Sequence, residues 1–65
     1  MENVELYANL LKIAYTGITR NIAFIRANPD ADNTESFNEI IRYANSAQDS
    51  AEKIAVMLTK GTDNE

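Results

Sequence analysis

The chain has no cysteine, no histidine and no tryptophan, one proline and two glycines. Each shortage excludes something. Without cysteine there is no disulfide, no thiolate nucleophile and no thiolate metal site. Without histidine the commonest general base near neutral pH and the commonest metal ligand are missing. No apolar run approaches the roughly 20 residues of a membrane helix. No basic stretch followed by an apolar one opens the chain. Positive charge is also short: six Lys and Arg face ten Asp and Glu, a net charge of −4. That balance disfavours binding to nucleic acid by charge alone.

What is present is helical periodicity. Val4, Leu11, Ile18 and Ile25 recur every seven, with Tyr7, Ala14, Tyr15 and Ile22 beside them. Leu6, Leu10, Ile13, Gly17 and Phe24 form a second line, interrupted by Arg20. Together the two lines cover roughly 200° of a helical wheel, about twice the stripe an ordinary surface helix needs. Glu5, Asn9, Lys12, Thr16, Thr19 and Arg26 fill the solvated remainder. A second helix shows one seam: Phe37, Ile40, Ala44, Ala47, Ala51, Ile54 and Leu58, widened by Ile41 and Ala55. Its alanines allow another helix to come close. Asn38, Arg42, Asn45, Asp49 and Lys53 oppose them.

The break lies at Ala27 to Asn33, where Pro29 forces its predecessor out of helical geometry. Asp32 with Glu35 three residues on reads as a capping box, and Gly61 as a C-terminal cap. The reading is one all-α domain over residues 1–65: a helix over about 4–26, a loop at 27–33, a helix over about 34–60 and a frayed acidic tail at 61–65. So short a loop makes the helices an antiparallel hairpin. In the register that the two seams suggest, Ile25 faces Phe37, Ile18 faces Ala44, Leu11 faces Ala51 and Val4 faces Leu58.

A hairpin uses one seam per helix, so the line of Leu6, Leu10, Ile13, Gly17 and Phe24 is left for an oligomer interface. A chain this short buries only about 60% of its unfolded surface, and with no disulfide, oligomerisation is a natural source of stability. The expected assembly is a homodimeric four-helix bundle or a larger helical oligomer.

Chemistry is sparse. Glu35 and Glu39 share a helix face but lack the Glu-x-x-His pair of helical metal sites, and suit the helix dipole instead. No catalytic residue, metal or cofactor is expected, and the chain does not read as an enzyme. Arg20 and Arg42 both fall near the loop end, with Tyr43 next to the second seam. Two arginines and a tyrosine suit a small anion such as a mono- or cyclic nucleotide. A purely structural Arg20 would instead pair with a carboxylate such as Glu39 or extend into water. Asn21 within the apolar sector is a candidate for fixing register.

In length, hairpin layout and acidic end the plan resembles Rop, the plasmid-encoded RNA-binding hairpin that dimerises into a four-helix bundle. The resemblance implies RNA binding on a polar first-helix face, for which Lys12, Thr16, Thr19 and Arg26 are a thin counterpart. Three functions therefore compete. The first is a protein-interaction regulator or inhibitor. The second is an oligomer that sequesters a small anion between subunits, as viral anti-defence proteins that sponge up nucleotides do. The third is Rop-like RNA binding. A cytoplasmic location without membrane association fits all of them.

Overall fold

The computed structural model describes the backbone of residues 2–63 and the side chains of residues 3–59. Two helices form an antiparallel hairpin: α1 spans Glu2–Ala27 and α2 spans Thr34–Asp63. The rod measures 55 × 14 × 12 Å, one helix pair thick. Among the described residues no helix is long and apolar enough to cross a membrane.

The turn is built from asparagines. Asn28 N–H donates to the carbonyls of Phe24 at 3.0 Å and Ile25 at 3.2 Å, and its Nδ2 donates to Phe24 O at 3.0 Å. These bonds satisfy carbonyls at the end of α1 that have no helical donor. Pro29 then blocks any continuation. The Asn28 carbonyl accepts from Ala31 N–H at 3.2 Å, closing a tight turn, and from Asn33 Nδ2 at 3.0 Å, tying the start of α2 to the end of α1.

The cap of α2 differs from the expected box. Asn33, not Asp32, is the residue whose carbonyl accepts the first helical bond, from Phe37 N–H at 3.0 Å. Asp32 Oδ1 accepts from Thr34 N–H at 3.1 Å and from Thr34 Oγ1 at 2.6 Å. The hydroxyl two residues on is nearer than the Glu35 position three on, so it takes the carboxylate. At the other end α2 runs through Gly61 to Asp63. Glycine occupies ordinary helical geometry at a cost of only about 1 kcal/mol, and no proline follows to enforce a stop. The expected tail at Asn64 and Glu65 lies outside the described residues.

The inward face of α1 is the first seam: Val4, Tyr7, Leu11, Ala14, Ile18, Asn21 and Ile25 are all at least partly buried. Tyr15 and Ile22, grouped with it by sequence, remain exposed. The inward face of α2 is not the expected one. Ser36, Ile40, Tyr43, Ala47, Ser50, Ile54 and Met57 face α1. Ile40, Ala47 and Ile54 are shared with the expected seam. Phe37, Ala44, Ala51 and Leu58 are exposed, so the register pairing them with Ile25, Ile18, Leu11 and Val4 does not form. The difference is a rotation of α2 by about 50° on its own axis.

Gly17 explains the rotation. A Cβ built on it would lie 2.5 Å from Tyr43 Cε2 and 2.6 Å from Cζ. The Tyr43 ring occupies the notch that the missing side chain leaves, and turning α2 to seat the ring carries the neighbouring apolar residues outward. Gly17 is thus a contact inside the hairpin as well as a member of the second line of α1. Ala14 and Ser50, 1% and 2% exposed, are the only fully buried residues among those described. Both are small, as a close helix approach requires.

Gly17→Ala should lower stability by about 1–3 kcal/mol through overpacking against Tyr43, despite the better helix propensity of alanine. In a Tyr43→Ala background the same change should stabilise. Thermal unfolding of the four proteins measures this, and a Gly17→Ala protein that melts higher than wild type would show that the ring does not occupy the notch.

Candidate functional site

The hairpin presents two different faces on either side of its seam. On one, α1 contributes Leu6, Leu10, Ile13 and Phe24, all exposed, with Ile13 at 60%. Alongside them runs a row on α2: Glu35, Glu39, Arg42, Ser46, Asp49 and Lys53. Helical spacing places these on one side of α2. One recess confirms the adjacency, because Phe24 and Asn21 of α1 line it together with Asp32, Glu35, Ser36 and Glu39. On the opposite face, α2 contributes Phe37 at 55% exposure, Ile41 at 57%, Ala44 and Ala51, and α1 contributes Tyr15 and Ile22.

The charged row has one fixed ion pair among the described residues. Lys53 Nζ donates to Asp49 Oδ2 at 2.9 Å and lies 5.5 Å from the centre of the Tyr7 ring. The hydrogen bond and charge of Asp49 hold the Lys53 ammonium above its ordinary pKa, with a smaller contribution from Tyr7. Both groups are well exposed, so the pair orients side chains more than it stabilises the fold.

Of the three side chains expected to bind an anion, two share one recess. Arg42 and Tyr43 line an open recess of about 300 Å³ with Glu39 and Ser46. Arg20 does not line it and has no ion pair among the described residues. Tyr43 is half-buried, with its ring against Gly17. Asn21 Nδ2 donates to Gly17 O at 2.8 Å within its own helix, so the amide is not directed at another chain. On the polar face of α1, the Thr16 hydroxyl donates to Lys12 O and the Thr19 hydroxyl to Thr16 O. Among the described residues no three His, Cys, Asp or Glu side chains converge as a metal site would require.

Ser50-Ala51-Glu52-Lys53 has the Ser-x-x-Lys spacing of some acyl-transfer enzymes. Ser50 is sealed in the interhelix seam, and Lys53 is turned to Asp49 on the surface. The pattern therefore offers no accessible nucleophile. The surface feature that sequence periodicity did miss is the apolar flank of α2. Its residues were visible, but they read as core. No protein-family model, curated protein or solved structure matches the chain.

Asp32 gives the site end of the hairpin an acid sensitivity. Its bonds from the Thr34 hydroxyl and N–H favour the carboxylate and lower its pKa. A depressed folded pKa contributes stability that is complete above the unfolded value, about 3.9, and is lost as pH falls through the folded one. Asp32→Asn should therefore show a shallower loss of helicity than wild type between about pH 5 and pH 2. Circular dichroism across that range checks it, and identical acid limbs would show that the Thr34 contacts do not hold in solution.

Proposed function

We propose that the chain is a non-enzymatic helical protein that works by binding another protein, as a small regulator or inhibitor does. It reaches its working form by self-assembly. The cysteine-free composition suits a reducing compartment such as the cytoplasm. The observation that carries the reading is the uncovered apolar surface. Among the described residues Ala14 is the one fully buried apolar side chain, while Leu6, Ile13, Phe24, Phe37 and Ile41 stay exposed. Surfaces of this kind mark interaction sites, and covering each large side chain contributes about 1.5–3 kcal/mol.

The competing readings have less support. For an anion held by Arg20 and Arg42 between subunits, the recess beside Arg42 carries the acidic Glu39, which disfavours a second negative charge there. RNA binding would rest on Lys12 and Arg26 along a face that also carries Glu5, in a chain with net charge −4.

Wild type should sediment as an oligomer at low micromolar concentration. Ile13→Asp, which puts a charge in the middle of the exposed α1 stripe, should weaken assembly by about 3 kcal/mol or more and reduce helicity. Native mass spectrometry of gently purified protein reports stoichiometry and retained partner together. A nucleotide-sized mass would move the reading to anion sequestration, and strongly salt-dependent RNA binding would move it to the Rop-like class. A monomeric wild type would refute self-assembly.

A further inference from the structure

We infer that the face carrying Leu6, Leu10, Ile13 and Phe24 takes a second copy of this chain, related by a two-fold axis perpendicular to the helices. In this arrangement α1 packs antiparallel on α1 and α2 on α2. The inference rests on the assembly reading and adds to it the symmetry and the register of the two copies.

Charge selects the arrangement. Along α2 the row on this face reads Glu35, Glu39, Arg42, Ser46, Asp49, Lys53. Laid antiparallel on itself, it sets Glu39 opposite Lys53 and Arg42 opposite Asp49, with uncharged Ser46 near the axis. Opposite charges across an interface fix register and exclude wrong partners. A two-fold axis running along the helices would instead lay the apolar α1 stripe on the charged α2 row, leaving charges against hydrocarbon.

The α1 stripe accepts the same operation. Reversed on itself about position 15, it sets Leu6 opposite Phe24 and Leu10 opposite Arg20. The aliphatic stem of Arg20 can cover the leucine while its guanidinium reaches water. This gives the break in the apolar line a place at the rim. The two centres are fixed separately, at position 15 on α1 and between positions 45 and 46 on α2. The fold brings them level. Gly17 lies against Tyr43, and antiparallel helices rise equally per residue, so position 15 stands beside position 45. One axis therefore serves both helix pairs.

The opposite face, with Phe37, Ile41, Ala44 and Ala51, has no comparable charged row and stays outward in this dimer.

Two sets of variants test the arrangement. Glu39→Lys and Lys53→Glu each place like charges across both symmetry-related contacts, and each should weaken dimerisation roughly tenfold. Mixed together they restore opposite charges at both contacts, so a heterodimer of wild-type affinity should form. Helicity of each variant, followed by circular dichroism, separates interface loss from unfolding. Helices packed about 10 Å apart bring the two copies of Ser46 to a Cα separation of about 5–6 Å, within disulfide range. Ser46→Cys should then oxidise to a covalent dimer, and Ala44→Cys on the opposite face should not. An oligomer that tolerates both charge reversals, a mixture that fails to recover, or crosslinking through Ala44→Cys instead of Ser46→Cys would overturn this face and leave assembly standing. A wild-type monomer would overturn both.

Discussion

The ring of Tyr43 lying in the notch at Gly17 sets the shape of everything else in this hairpin. A helix with an apolar stripe can meet its neighbour at several rotations of similar hydrophobic gain. A large flat side chain with one place to go removes that freedom. Seating Tyr43 turns Ser36, Ser50 and Met57 inward and carries Phe37, Ala44, Ala51 and Leu58 to the outside. The interior that results is narrow and built around small residues, Ala14 and Ser50 above all. Close approach of the helices is gained, and apolar surface is left uncovered on both faces.

That trade connects packing to function. A two-helix layer has no third element to cover its faces, and its own seam removes little hydrocarbon from water. The turn does much to define the structure locally: Asn28, Asn33, Asp32 and Thr34 exchange bonds that end one helix and start the next. Such a turn fixes the direction of the helices but buries little. In our account the rest of the stability comes from association, so folding and assembly are coupled.

The sequence made the helices, the break at Pro29 and the inward face of α1 legible, because each rests on local chemistry or on a clear seven-residue recurrence. Val4, Leu11, Ile18 and Ile25 face inward as their spacing requires. The face of α2 was not legible by the same means. Counting apolar residues favours Phe37 and Leu58 over Ser36 and Ser50, and the large-to-small pairing across the resulting register was self-consistent. What it could not weigh was one tyrosine fitting one glycine. A mid-helix glycine that costs helix propensity is itself a sign that something approaches closely, and Tyr43 was the ring available to do so. Of the candidate anion residues, Arg42 and Tyr43 share a recess that Arg20 does not line, because spacing along the chain does not say which side chains meet around one recess. The first helical bond starts at the Asn33 carbonyl and not at Asp32. Asp32 turns its carboxylate to the N–H and hydroxyl of Thr34 while the Asn33 side chain reaches back to Asn28, and motif spacing does not distinguish these partners.

The central claim is that the exposed apolar stripe of α1 is covered in the working protein and supplies stability there. The most direct measurement is the thermal midpoint as a function of protein concentration, from high nanomolar to high micromolar. Coupled folding and assembly predict a midpoint that rises steadily with concentration and converges with loss of the oligomer on dilution. A midpoint independent of concentration, with full helicity kept at the lowest concentration, would show that the lone hairpin is stable with that stripe bare and would contradict the account.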